Sequence, residues 1–208
     1  MVEDGRAADA EKLLAGRFFP REEFGTNVRQ VYVEIRQQQA LQLARQGRCG
    51  DATGVVRRLG GPDAALPFTS DGMTPFLESG RAQYLAGLVF EACGDMNSAR
   101  ERWRRAASLP DSYPQPHLAF GWLAGRRLGG APDAGTRTRL ETALRAWERR
   151  LVIGTSFPGP NACGRGLLLR ALGREDEARA RFREALLLPD QLMSHYLSRE
   201  ALAATPPR

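Results

Sequence analysis

The sequence is poor in the residues that carry most enzyme chemistry. Its 208 residues hold two histidines, His117 and His195, which excludes a polyhistidine metal centre. Ser156 sits in GTSFPG, which lacks the G-x-S-x-G arrangement of a nucleophile elbow. Cysteine is equally sparse: Cys49, Cys93 and Cys163 stand far apart with no C-x-x-C pair. An odd, dispersed set predicts no disulfide framework and a reducing compartment. No apolar run approaches the roughly 20 residues that cross a bilayer. The opening MVEDGRAADAEKLLAG is acidic where a secretory signal is basic, and it has no apolar core. Strand-like and helix-like segments do not alternate, and no phosphate-binding glycine fingerprint is present. These absences predict a non-enzymatic, cytoplasmic protein with no catalytic residue, no cofactor, no metal and no membrane span.

Lysine is nearly missing too, since Lys12 is the single lysine among 30 basic residues. The formal net charge of +6 invites a nucleic-acid reading. Against it, the arginines are interleaved with Asp and Glu, as in RFREAL and ARERWRRAA, which is the pattern of solvated helix faces with intrahelical pairing. The tightest basic clusters are Arg100, Arg102, Arg104 and Arg105, then Arg145, Arg149 and Arg150. They leave electrostatic contact with an acidic partner open.

What the chain does have is a recurring spacing. In GREDEARARFREALLLPD a glycine, Gly173, is followed by Ala178, Phe182 and Ala185. Offsets of four and three stack side chains on one helix face, so a small-large-small stripe forms while the arginines point away from it. Gly173 precedes the helix, where φ > 0 closes the one before. The spacing returns at Gly94, Ala99, Trp103 and Ala106, more loosely at Gly47, Ala52, Val56 and Leu59, and weakly at Gly5, Ala10 and Leu14. Ala143 and Trp147 repeat the small-then-large pair without a glycine at the expected distance. The uneven intervals between successive alanines imply one unit joined by loops of different length.

At these residues the chain resembles the tetratricopeptide repeat family, whose unit is a helix-turn-helix of about 34 residues. Counting back from the helix-ending glycines places Gly166, Gly87 and Ala40 at the family's small position on the first helix. The first-helix Trp and Leu positions depart from the family, holding Gln83 and Ala86 in one unit and Ala162 and Arg165 in another. The linkers are also longer than the family's. The resemblance implies an all-α fold of antiparallel helix hairpins stacked as a short right-handed superhelix. The expected division is an incomplete N-terminal hairpin and loop at 1–27, a helical repeat domain at 28–204 and a tail at 205–208.

Taken in order, helices are expected at 6–16, 28–46, 51–59, 79–93, 97–108, 117–128, 136–151 and, after the last repeat, 190–203. The first of these reads as the second helix of a hairpin whose first is absent, so that Met1 opens a fragment or a degenerate cap. The helix at 79–93 is expected to be the most buried. Residues 18, 19 and 24, all Phe, are expected to pack under the next hairpin. Residues 60–77, rich in Gly and Pro, form an irregular connection, and VIGTSFPGPNACG a second loop whose Gly154, Gly159 and Gly164 offer backbone N–H groups to an anion.

The function that the resemblance implies is protein–protein binding, with a peptide or partner segment lying along the first helices on a concave wall. By the family's register that wall is lined by Gln37, Leu41 and Arg45, by Arg81, Tyr84, Leu88 and Glu91, and by Leu167 and Arg170. The asparagines of the carboxylate clamp in chaperone-binding members are replaced by Leu41 and Leu88, which disfavours that partner. Arg45, Arg81 and Arg170 favour a partner bearing acidic side chains or a C-terminal carboxylate. Two other classes stay open. One is a helical accessory module of a larger bacterial enzyme or carbohydrate-associated protein, to whose repeat tails residues 17–41 bear a weaker likeness; the other is an arginine-rich nucleic-acid binder.

Overall fold

A computed structural model describes residues 1, 4–17, 28–59, 73–111, 116–130, 134–152, 157–190 and 192–204, with the backbone alone described at 151 and 152. Among the described residues every regular element is an α-helix. In chain order these are α1 Ala7–Leu14, α2 Val28–Arg45, α3 Cys49–Arg58, α4 Thr74–Leu77, α5 Gly80–Ala92, α6 Met96–Ser108, α7 His117–Arg127, α8 Ala134–Val152, α9 Pro158–Ala171, α10 Glu175–Leu187 and α11 Ser194–Ala203. The three phenylalanines at 18, 19 and 24 and most of the 60–77 connection lie outside the described residues. Two compact units divide the chain, Met1–Arg105 and Ala106–Arg208.

One turn is used repeatedly. Gly47, Gly94, Gly129 and Gly173 all take positive φ, between 75° and 81°. After each, the next backbone N–H reaches back five residues: Arg48 to the Leu43 carbonyl, Asp95 to Phe90, Gly130 to Gly125 and Arg174 to Leu169, at 2.9 to 3.0 Å. This bond satisfies a carbonyl that the helix end would orphan, and only glycine reaches the required backbone region without a Cβ penalty. Gly129 is thus the glycine that a fixed five-residue count to Ala143 fails to find, because α8 begins farther from its turn than the other second helices do. After Gly47 and Gly173, and also after Gly5 at the start of the chain, the next residue pairs forward into the helix that follows: Arg48 binds Asp51 at 2.7 Å, Arg174 binds Glu177 at 2.5 Å and Arg6 binds Asp9 at 2.9 Å. After Gly94, Asp95 accepts from the Ser98 N–H at 3.1 Å, an N-cap made by a carboxylate.

The small and large residues meet as their spacing implies. Ala52, Ala99, Trp103, Ala178 and Phe182 are fully buried, and Val56, Ala143 and Trp147 nearly so. Trp103 of α6 lies so close to Gly87 of α5 that a Cβ there would come within 2.2 Å of its indole nitrogen. Phe182 of α10 lies likewise on Gly166 of α9, at 2.5 Å from the position of a Cβ. Each absent side chain is the space that the ring fills, and filling it twice would force backbone shifts.

In the first unit α2 packs against α1, α3, α4 and α5, and α3 also meets α5. In the second unit α9 packs against α7, α8, α10 and α11. This central place makes α9 the most buried helix, in place of 79–93: residues 159 to 166 are buried without interruption. It also corrects the second loop, since Pro158 to Gly164 are helical. Gly159 and Gly164 serve close packing, against the Pro189 carbonyl and the Trp147 ring, rather than anion binding.

Cysteine pairing is a further correction. Cys49, at the start of α3, is joined by a disulfide to Cys93, at the end of α5, with their Cα atoms 5.3 Å apart. Packing of one hairpin on the next brings together residues 44 apart in sequence, which spacing alone does not reveal. Cys163 takes no part in that bond and is buried on α9. The bond removes the ground for expecting a reducing compartment.

Candidate functional site

The expected binding wall in the first unit lies on α2 and α5, which pack side by side. Two of its members turn inward. Gln37 is 3% exposed and donates from Nε2 to the Ala82 carbonyl at 2.9 Å, so it ties α2 to α5 and offers nothing to a partner. Arg81 uses its fork at home: Nε and Nη2 donate to the two oxygens of Glu34 at 3.0 and 2.8 Å. With side-chain exposures of 16% and 7%, this is a largely desolvated, bidentate pair, and the carboxylate expected from a ligand is supplied by α2 itself.

Outward from these rungs lie Leu41, Tyr84, Leu88 and Glu91, all half-buried, and Arg45, which is exposed in the last turn of α2. Tyr84 also gives its backbone carbonyl to the Trp103 indole N–H at 3.3 Å, which anchors α5 to α6 from the other side. Leu41, Tyr84 and Leu88 are thus partly accessible on the two packed helices, and Arg45 is fully so.

In the second unit Leu167 is half-buried and packs against two apolar clusters of α8 to α11. Arg170 is tied down. It donates from Nε and Nη2 to Glu175 at 2.9 and 2.6 Å, from Nη1 to the Ala201 carbonyl at 2.7 Å, and stacks its guanidinium 5.0 Å from the centre of the Phe182 ring. It therefore rivets α9, α10 and α11 together. As with Arg81, a fork of donors on a first helix is taken up inside the fold, here by a carboxylate five residues on and a carbonyl 31 residues away.

A cluster that sequence reasoning missed lies where α6 leads to α7. Asp111 Oδ2 accepts the Trp147 indole N–H at 2.8 Å, and Oδ1 accepts the Leu118 N–H at 3.4 Å. Burial pushes the Asp111 carboxyl above its usual range, with the Trp147 bond opposing. Burial holds His117 below the usual histidine value, with the Asp111 charge opposing. The available signal was the repeated Leu-Pro-Asp, at 109–111 and again at 188–190. In the second copy Asp190 Oδ1 accepts from the His195 N–H at 3.0 Å, so both aspartates feed the first turn of the following helix. The His195 ring is engaged at 2.8 Å with the Leu188 carbonyl. Among the described residues no three His, Cys, Asp or Glu side chains gather as a metal site.

Beside Asp111 the hairpin of α7 and α8 is splayed. Two hollows, about 600 and 190 Å³, flank Leu118 and Arg139. The position seven residues before the helix-ending glycine, occupied by Gly87 and Gly166 elsewhere, holds Trp122 here. Trp122 lines the smaller hollow, half-buried under the Arg126 guanidinium at 5.1 Å. A bulky ring thus stands where α5 and α9 have no side chain. Trp147 of α8 is seated on Gly164 of the next hairpin instead, where a Cβ would fall 1.9 Å from its ring. Compared with family models, with curated proteins and with solved structures, the chain matches none, so the reading of these surfaces rests on its own residues.

Proposed function

We propose that the chain is a non-catalytic interaction scaffold, a short right-handed stack of tetratricopeptide-like hairpins that holds a peptide or partner segment along α2 and α5. The observation that supports this reading is the recurrence of one hairpin closure at four glycines, since repeated hairpins of this kind bury their apolar stripes on one another and present their first helices outward. Leu41, Tyr84 and Leu88 give that face an apolar strip, and Arg45 gives it a cationic edge. A partner with apolar side chains spaced along it and an acidic residue beside them fits both. The arginines favour this over a nucleic-acid surface, because many of them carry a carboxylate of the same helix or turn, as Arg6, Arg48, Arg105 and Arg174 do.

A displayed peptide library selected on the full chain tests the proposal. Binders are expected to be acidic and apolar, and Leu88→Asp or Arg45→Glu should weaken them by about tenfold or more while leaving the melting temperature unchanged. Selection without a saturable binder, or binders indifferent to both substitutions, would exclude this face.

A further inference from the structure

The cavity beside Leu118, walled chiefly by α8 and by residues 107–111 at the end of α6 and just after it, is not used by the scaffold reading. At about 600 Å³ it is within the size range of small-molecule sites. The lining from α8 runs from Thr138 to Arg150 along one stripe, roughly three turns of helix, so the hollow is elongated along that axis. Its walls are largely apolar, with Leu118 from α7 facing Ala143, Ala146 and Trp147 of α8. Asp111 is already engaged, through the Trp147 indole and the Leu118 N–H. Arg139 is placed differently. It borders both hollows, is exposed, makes no ion pair described in the structure, and donates a long hydrogen bond of 3.3 Å to the Thr136 hydroxyl.

An elongated apolar slot with a guanidinium at its edge matches a molecule with a long apolar body and an anionic head. We propose that this wedge binds a medium-chain carboxylate, its hydrocarbon chain along Leu118, Ala143, Ala146 and Trp147 and its carboxylate at Arg139. The apolar walls supply affinity by removing the chain from water, and the arginine selects the acid over a neutral analogue.

The test is calorimetric titration of the full chain with decanoate, decanol and acetate, below the concentration at which decanoate aggregates. Saturable one-to-one binding of decanoate is expected, with decanol about tenfold weaker and acetate undetectable. Arg139→Gln should remove the preference of acid over alcohol and leave decanol binding unchanged. Ala146→Phe should abolish binding of both by filling the slot. Thr142→Phe, at an exposed position over the same hollow, serves the same purpose if the first variant melts early. Absence of saturable decanoate binding, an unchanged acid preference in Arg139→Gln, or decanoate bound normally by a folded slot-filling variant would each overturn the proposal. A C-terminal decapeptide with an apolar end is the remaining arm: if it outcompetes decanoate, the carboxylate belongs to a polypeptide terminus and the assignment to a fatty acid fails.

Discussion

The hairpins α9–α10 and α7–α8 are built from the same parts, yet one is closed and the other is open. In the first, Phe182 fills the space above Gly166, and Arg170 stacks on the outer face of the same ring while binding Glu175. In the second, Trp122 occupies the glycine position and lines a hollow of about 190 Å³. A ring on the first helix here stands where the closed pair has a ring from the second helix seated on glycine. Close approach of helices is a property of the missing atoms, and a stack tolerates one open pair because Trp147 finds a substitute glycine on the next hairpin.

The comparison can be broken most severely at the closed pair. Phe182→Ala should cost about 3 to 5 kcal/mol, as emptying a fully buried aromatic site does, and urea denaturation would show it. Trp103→Ala should match it, since that ring is seated the same way on Gly87. An unchanged midpoint for either would remove the packing account of the repeat.

Next in size is the staple that the open pair lacks. Replacing Cys49 and Cys93 together by serine should lower stability by about 2 to 4 kcal/mol, and adding a reductant to the wild type should reproduce the change. Gly166→Ala should follow, at about 1 to 3 kcal/mol, because its methyl meets a ring that backbone packing holds in place. Trp122→Ala should cost about 1 kcal/mol, the loss of a half-buried ring and its arginine contact, and the contrast with Phe182→Ala in one denaturation series measures how far the two hairpins differ.

The smallest effect concerns pH. His117 is held below its ordinary value, so the stability linked to its neutral form is present above that value and is lost as pH falls through the depressed one. Asp111 is raised and works in the opposite sense, favouring the folded state as it takes up a proton at lower pH. Denaturation midpoints followed downward from neutral pH should therefore fall through the histidine range and then flatten. His117→Gln should remove the first fall, and a slope unchanged in that variant would show that burial of the imidazole carries no cost.

The failed expectations share one physical origin. Gln37, Arg81 and Arg170 were placed on a binding wall by helix register, and register describes the direction of a side chain without its neighbours. Glu34 lies 47 residues from Arg81, the Ala82 carbonyl 45 from Gln37 and the Ala201 carbonyl 31 from Arg170, distances that local spacing does not reveal, whereas the Glu175 that takes the Arg170 fork is five residues on. Tyr84, Leu88 and Glu91 are half-buried and Arg45 is exposed.

What the sequence determined by itself is everything that depends on bonds within a few residues. The helices, their glycine closures at Gly47, Gly94 and Gly173, and the buried stripe of small and large residues follow from a five-residue hydrogen-bonded turn and a 3.6-residue period, which any reader of the chain can count. Tertiary structure alone decided the Cys49–Cys93 bond, the central burial of α9, the capture of arginine forks by internal carboxylates, and the opening beside Trp122. Each of these depends on which helix lies beside which. That choice is made by close packing over the whole unit.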